Sequence, residues 1–277
     1  MLRAGTPRSL STYYLRFVVT FFVGAFLIGS LIRNIELEWP AVEDKFVNFR
    51  RCMDEALKIQ ALDPLVEQYK KCEKLLPTLQ IKGFTNLDET KFHMVANADT
   101  HKSASCVIVT LGVGHDVAAE KKLKAEQTNC RFFGADPIVV PNEEYYRSID
   151  PTAQFFPFAH VLHVALGPFL QVFVNESVID NMWMDAEGAE YELLDHFSPG
   201  GDLDRRGITV CQWNVEIHFV TSSREKKEAT LNFLRRSIPQ EKRWICSRIA
   251  TVGPHVRLYC FNYDSTVCRQ RLGINGD

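Results

Sequence analysis

The sequence predicts an α/β protein with a mostly parallel sheet and helices on both faces, preceded by an N-terminal transmembrane helix and a short helical stem. Three observations lead to this fold class. An uncharged apolar run occupies residues 17–32. Between residues 106 and 136, a strand-like run, a glycine turn, a helical stretch and a second strand ending in an acidic residue follow one another. A third strand-like run, residues 179–185, also ends in an acidic residue and leads directly into a helix. Strands that alternate with helices in this order form parallel sheets.

The composition is that of a globular protein. Of the 277 residues, 46% are hydrophobic and 24% are charged, which excludes a disordered or low-complexity chain. There are 32 basic and 34 acidic residues, so no overall charge favours a polyanionic partner, and we predict that no nucleic acid is bound. The first 33 residues differ from the rest because they carry four arginines and no acidic residue.

This N-terminal segment predicts a signal anchor. A helix over residues 17–32 would be about 24 Å long, short for a bilayer core of about 30 Å but adequate for a thin membrane. Arginines precede the run and Glu36 and Glu38 follow it, so we expect a single-pass type II protein of the secretory pathway, in the Golgi or ER, with a lumenal body. A cleaved signal peptide, giving a secreted form, and a buried helix are the alternatives. A lumenal body would make the sequon at Asn175 available for glycosylation.

The cysteines fit this location. There are eight and none forms a C-x-x-C pair, which argues against a zinc ribbon or a thioredoxin-like site. Three lie in apolar strand-like runs and are predicted to be buried and unpaired: Cys106, Cys130 and Cys211. The disulfide candidates are Cys52 with Cys72, and Cys268 with either Cys246 or Cys260.

Residues 41–80 predict two short helices, interrupted near Pro64 and closed by Pro77, because apolar residues recur there at helical spacing. We therefore divide the chain into three parts. A cytosolic tail with the anchor occupies residues 1–33, the helical stem residues 34–89, and the α/β domain residues 90–277.

The glycine turn of the α/β domain predicts a nucleotide site. Gly112 and Gly114 follow the apolar strand 106–111, and glycine lets the backbone approach a ligand at the start of the next helix. Asp136 ends the second strand, 24 residues after Gly112, where a carboxylate can accept hydrogen bonds from ribose hydroxyls. An ordinary tight turn is the alternative.

Two later runs place further polar groups at strand ends. Asp185 and Glu187 follow the third strand, at the edge where open α/β sheets bind ligands, although Asp185 as a helix cap is an alternative. In the run 208–219, Glu216 and His218 alternate onto one face of a strand. Two last strands are expected near residues 243–249 and 255–262.

At these residues the sequence resembles the FkbM-type S-adenosylmethionine-dependent methyltransferases, in particular the group expanded in nematodes. The segments that carry the resemblance are TLGVGHD (110–116), FFGADP (132–137), FFPFA (155–159), WMDAEGAEY (183–191), QWNVEIH (212–218) and HVR (255–257). The resemblance implies a class I methyltransferase fold, Rossmann-like, with a seven-stranded, mostly parallel sheet. It also implies that S-adenosylmethionine is the cofactor.

The resemblance further implies roles for the candidate residues. Gly112 and Gly114 would cradle the methionine end of the cofactor and Asp136 its ribose. Asp185 and Glu187 would lie where methyl donor and acceptor meet, and we count Glu187 with the cofactor-binding residues.

The expected chemistry is O-methylation of a hydroxyl on a sugar, a lipid or another small metabolite. The sulfonium is already a strong methyl donor, so the protein must mainly align the acceptor and remove its proton. His218 or Asp185 is the candidate base, with Glu216 orienting the histidine or the acceptor. We assign no metal ligand, and a Mg²⁺ or Ca²⁺ site in this cluster is an alternative.

Two departures from the family pattern leave other functions open. Thr110 and Asp116 stand where many class I methyltransferases have an acid and a third glycine, and only 49 residues separate Asp136 from Asp185. An inactive binding protein with the same fold is therefore one alternative. A type II membrane glycosyltransferase that uses the D-x-D sequence 202–204 is the other.

Overall fold

The computed structural model describes residues 45–94, 106–158 and 164–274. The predicted anchor at residues 17–32 lies outside these ranges. Among the helices in the three ranges, none is long and apolar enough to cross a membrane. The predicted transmembrane helix and the predicted membrane contact are thus without support in the described part of the chain.

The described residues form eleven strands and nine helices. The strands are β1 Ile81–Thr85, β2 Thr90–Met94, β3 Cys106–Leu111, β4 Cys130–Ala135, β5 Gln154–Phe156, β6 Val178–Ile179, β7 Asn181–Asp185, β8 Thr209–Val210, β9 Gln212–Ile217, β10 Trp244–Val252 and β11 His255–Asn262. The helices are α1 Val47–Ala56, α2 Leu62–Glu73, α3 Ala118–Glu126, α4 Asn142–Arg147, α5 Leu166–Pro168, α6 Glu190–Leu193, α7 Asp202–Arg205, α8 Arg224–Arg235 and α9 Thr266–Leu272. Wider π-helical turns extend α5 over Phe169–Val174 and α8 over Arg236–Gln240, and a 3₁₀ turn, Leu194–Phe197, extends α6.

Seven strands form the central sheet in the order β10-β11-β9-β7-β3-β4-β5. Strand β11 is antiparallel to both of its neighbours, and the other pairs are parallel. The first four residues of β3 are at most 1% exposed, as expected for a central parallel strand covered on both faces. The predicted seven-stranded, mostly parallel sheet is confirmed.

The two predicted helices before the sheet are α1 and α2. Both bury an apolar face that includes Phe49, Met53 and Tyr69, each fully buried in the same core as the sheet. The Tyr69 hydroxyl donates to the carbonyl oxygen of Cys246 on β10 at 2.8 Å. Pro64 lies in the first turn of α2, where a missing N–H is tolerated, so the interruption precedes it.

All eight cysteines are paired. The disulfides are Cys52–Cys72, Cys106–Cys130, Cys211–Cys268 and Cys246–Cys260. The pairing of Cys52 with Cys72 is confirmed. The prediction that Cys106, Cys130 and Cys211 are unpaired is wrong, and so is the choice of partner for Cys268.

Strand register explains the unexpected pairs. Cys106 and Cys130 face each other across β3 and β4, and Cys246 and Cys260 face each other across β10 and β11. The hydrophobicity of one strand does not reveal which residues of the neighbouring strand face it. The sequence therefore predicted Cys106 and Cys130 only as buried apolar residues. The three disulfides of the sheet, including the one formed by Cys211 just before β9, lie where the parallel strands begin.

The short segment between Asp136 and Asp185 contributes one strand, β5, to the central sheet. It holds α4, the three-residue strand β5, α5 with its π-helical extension, and β6. Of these strands, β5 forms one edge of the central sheet, and β6 pairs with β8 in a separate two-stranded sheet.

Candidate active site

A cleft of about 820 Å³ lies at the carboxyl ends of β3, β4 and β7. Five of the seven predicted site residues line it: Gly112, Gly114, Asp136, Asp185 and Glu187. Its opposite wall is apolar and contains Phe158, Leu166 and Phe169. The rings of Phe158 and Phe169 pack edge to face, with centroids 5.8 Å apart. The cleft thus has a polar floor at the strand ends and an aromatic side.

Glycine is required at position 112 for two reasons. The residue has a φ of +82°, and a Cβ atom on it would lie 1.8 Å from the carbonyl oxygen of Asp185. Gly114 also has a positive φ, +59°, but a Cβ atom there would meet no described atom within 4 Å. Position 112 therefore holds the glycine turn against the end of β7, whereas Gly114 opens toward the cleft.

Asp136 organises this turn. Its side chain accepts hydrogen bonds from the backbone N–H groups of Val113 at 2.7 Å, Gly114 at 3.4 Å and Ile138 at 2.7 Å. A carboxylate has about four acceptor positions, so one remains for a ligand hydroxyl. The residue predicted to bind ribose therefore also fixes the glycine turn.

The two residues that depart from the family pattern have structural partners. Thr110 is fully buried, accepts from the Tyr146 hydroxyl at 3.1 Å and donates to Glu120 at 3.4 Å. Asp116 accepts from the backbone N–H groups of Ala118 and Leu87, each at 2.8 Å. Asp116 thereby starts α3 and ties the hairpin of β1 and β2 to it.

The loop after β7 is held by Glu190, a residue that we did not predict as part of the site. Glu190 is fully buried and accepts from the backbone N–H of Ala186 at 2.8 Å and of Gly188 at 3.0 Å. Its other partner is the Nδ1 atom of His218 at 3.0 Å. The signal in the sequence was the second glutamate of E-G-A-E, three residues after Glu187.

Asp185, Glu187 and His218 come together as predicted. The Nε2 atom of His218 lies 3.4 Å from Asp185 Oδ1 and 3.6 Å from Glu187 Oε2. Burial, followed by the negative charges of Glu216 and Glu89, raises the pKa of the Asp185 carboxyl to about 6. This edge of the cleft is therefore crowded with negative charge.

Glu216 lies at the predicted edge but does not orient His218 as predicted. It faces Asp185 across β7 and β9, but its carboxylate accepts from Arg257 Nε at 2.6 Å and it does not line the cleft. Hydrogen bonding to Glu190, and not to Glu216, orients the ring of His218. His255, also absent from the predicted set, lies 3.8 Å from Glu216 through Nδ1.

Comparison with known proteins identifies the family. The sequence model of the family described as Methyltransferase FkbM domain matches residues 84–245, more than half of the chain. The chain belongs to the FkbM methyltransferase family. No curated protein matches the chain in sequence.

Two solved structures are similar to this FkbM methyltransferase domain at low identity. One is a mutant of the 16S rRNA (adenine(1408)-N(1))-methyltransferase from Catenulisporales acidiphilia, 12% identical, with a TM-score of 0.34, covering 68% of this chain and 98% of that chain. The other is an rRNA methylase from Escherichia coli, 11% identical, with a TM-score of 0.31, covering 75% of this chain and 76% of that chain.

Both structures are described as enzymes of rRNA methylation. The exclusion of nucleic acid that we drew from the balanced charge is not retained. The physical reason is that net charge describes the whole chain, whereas phosphate contacts need only a local group of basic side chains.

The two acidic residues of the D-x-D sequence form hydrogen bonds within the fold, outside the cleft. Asp202 accepts from Arg206 Nε at 2.8 Å, and Asp204 accepts from Arg243 and from the backbone N–H of Gly200, both at 2.7 Å. Both acids lie in α7, where their partners are arginines of the fold. Nothing in this arrangement favours a glycosyltransferase site over the FkbM cleft.

The cleft fits the cofactor that the family implies. Its volume is that of a pocket able to enclose a nucleoside and an amino-acid chain together. Gly114 leaves open space beside the turn, and Asp136 keeps an acceptor position. The carboxylates of Asp185 and Glu187 would face the positive sulfonium. When bound, S-adenosylmethionine would supply the methyl group.

Proposed function

We propose that the chain is an S-adenosylmethionine-dependent O-methyltransferase that holds its cofactor in the cleft at the ends of β3, β4 and β7. One observation carries the proposal. The contact between Gly112 and the backbone of Asp185 fixes the glycine turn, where the cofactor would bind, against the carboxylate that would meet the acceptor. Such fixed geometry is what alignment of donor and acceptor requires.

The proposed reaction is a direct displacement. When bound, S-adenosylmethionine would supply the methyl group to the acceptor oxygen and would leave as a neutral thioether, with the C–S bond broken as the C–O bond forms. The hydroxyl proton passes to Asp185, with His218 3.4 Å away to stabilise the change in charge. An oxygen acceptor is favoured because a base is needed to remove its proton, and this edge offers one.

The acceptor class that we propose is a hydroxyl of a sugar, a lipid or a small metabolite. The aromatic wall formed by Phe158 and Phe169 supports an acceptor or cofactor portion with an apolar face. An inactive binding protein with the same cleft is the second candidate, supported by Thr110 in place of the family's acid.

We also propose that the domain works in an oxidising compartment of the secretory pathway. The support is that all eight cysteines form disulfides, which is typical of secreted and lumenal proteins.

Calorimetry with the full-length chain and S-adenosylmethionine tests the first proposal. Binding, followed by release of S-adenosylhomocysteine with hydroxylated acceptors, is the expected result. Binding without turnover across sugars, lipids and an rRNA fragment would favour the inactive relative. No heat and no thermal shift at millimolar cofactor would contradict both.

A further inference from the structure

Among the buried polar atoms that have no hydrogen bond to any residue that the structure describes are Oδ1 of Asp185 and Nδ1 of His255. Buried polar atoms in native proteins are nearly always paired with protein, water or an ion, so such atoms need an explanation. They belong to two groups of side chains that share His218: Asp185 with Glu190, and Glu216 with His255. In each group one possible ligand atom per residue lies within 4.8 Å of the others. We name Glu216, His218 and His255, at the ends of β9 and β11, the edge cluster.

The spacing within the edge cluster and between it and Asp185 does not suit hydrogen bonds. His255 Nδ1 lies 3.8 Å from Glu216 Oε1, and His218 Nε2 lies 3.4 Å from Asp185 Oδ1. Hydrogen bonds between such atoms span roughly 2.7–3.2 Å. Ligand atoms on a tetrahedral ion with bonds of about 2.1 Å are about 3.4 Å apart. Both separations are therefore closer to that of two ligand atoms on one ion than to that of a hydrogen bond.

The neighbours of the edge cluster orient its donor atoms. Glu190 accepts hydrogen bonds from two backbone N–H groups, as an ionised carboxylate does. Because such a carboxylate cannot donate, the His218 ring must donate to it, and the ring proton is therefore on Nδ1. This leaves the lone pair of Nε2 directed at the cluster. A buried carboxylate behind a histidine is the usual support of a metal-binding imidazole. On the other side, Arg257 bonds to Glu216 Oε2 and leaves Oε1 for the cluster.

The donor set indicates the class of ion. Mg²⁺ and Ca²⁺ prefer oxygen ligands alone, whereas two imidazoles with carboxylates suit Mn²⁺, Fe²⁺ or Zn²⁺. The negative charges of Glu187 and Glu190 next to the cluster favour a cation, and Arg257 is the one cationic side chain that the described structure places against a cluster carboxylate.

We infer that the edge cluster binds one first-row divalent cation. Its ligand atoms are Glu216 Oε1, His218 Nε2 and His255 Nδ1, and Asp185 lies beside them, with Oδ1 3.4 Å from His218 Nε2. The site stands on these contacts alone. Its role rests on the proposed function: an ion at this edge would bind the acceptor hydroxyl, lower the pKa of that hydroxyl, and so ease transfer of its proton to Asp185.

Titration of the full-length chain with Zn²⁺ and Mn²⁺, after removal of metal by a chelator, tests the site. We expect one ion per chain and at least tenfold weaker binding of Mg²⁺ and Ca²⁺. H255Q should weaken Zn²⁺ binding at least tenfold. The matched control is H196Q, which changes a histidine of the same cleft that lies 3.7 Å from Asp202, and it should leave Zn²⁺ binding unchanged. Equal binding by wild type and H255Q would overturn the inference, as would failure of the wild type to bind either ion at micromolar concentration.

A second measurement needs no variant. Electron spin echo of bound Mn²⁺ should show coupling to imidazole ¹⁴N, and its absence would place the ion elsewhere and overturn the site.

The role is tested separately, by methyl transfer in the chelated and reloaded protein. Metal binding without binding of S-adenosylmethionine would support the site while removing the proposed function. Full transfer activity in the chelated protein would retain the proposed function while removing the role of the ion.

Discussion

Gly112 and Asp185 are in backbone contact, with room for only a hydrogen on the glycine: a Cβ atom would lie 1.8 Å from the aspartate carbonyl oxygen. G112A should therefore lower the free energy of unfolding by more than about 2 kcal/mol, because it adds this clash to the cost of a positive φ. The matched variant G114A meets no clash and should cost about 1–2 kcal/mol. Urea unfolding of both proteins measures the difference, and equal costs would contradict the contact.

The second prediction concerns Asp136. D136N should weaken binding of S-adenosylmethionine by about 10- to 100-fold, since hydrogen bonds to a charged group contribute about 1.5–3 kcal/mol. The control is D150N, because Asp150 also accepts a backbone N–H, from Thr152 at 2.7 Å, but does not line the cleft. Calorimetry on the two variants should separate them. An unchanged dissociation constant for D136N would mean that the cofactor binds elsewhere.

Glu190 is predicted to act as a positioning residue. E190Q removes the charge that orients His218, so kcat for methyl transfer should fall at least tenfold while the Kd for S-adenosylmethionine changes less than threefold. Glu192, an exposed residue of the same cleft, provides the control E192Q. A parallel loss of kcat and cofactor binding in E190Q would indicate a merely structural role.

The disulfides give a fourth prediction. By loop-closure entropy, removing Cys52–Cys72, which closes 20 residues, should cost about 3 kcal/mol, and removing Cys211–Cys268, which closes 57 residues, about 4 kcal/mol. Each pair is replaced by serines and unfolded in denaturant. A reductant should lower the melting temperature of the wild type and leave each double variant less affected. Insensitivity of the wild type to reductant would argue against the cross-links.

The fifth prediction tests the compartment. Asn175 is exposed and follows the π-helical turn in a left-handed conformation, with Ser177 also exposed. Secretory expression should therefore add one glycan that peptide N-glycosidase removes. N175Q and S177A should abolish the mobility shift, and S177T should keep it. An unshifted wild type that leaves the cell unglycosylated would contradict an accessible lumenal sequon.

The sequence predicted the sheet and most of the cleft because their signals are local. Gly112 and Asp136 each directly follow a strand and Asp185 ends one, and parallel strands bring their carboxyl ends to one edge. The remaining features depend on register and on side-chain direction. The sequence alone did not indicate that Arg257 bonds to Glu216, that Glu190 reaches His218, or that Cys106 faces Cys130.

The three disulfides of the sheet lie at the same edge, and this position determines which residues can be substituted without disturbing them. Two of them join neighbouring strands and the third, Cys211–Cys268, joins the start of β9 to α9, all where the parallel strands begin, at the edge opposite the cleft. Covalent reinforcement and chemistry therefore occupy opposite ends of the same strands. Side chains at the carboxyl edge can therefore be exchanged without disturbing the cross-links that hold the far edge together.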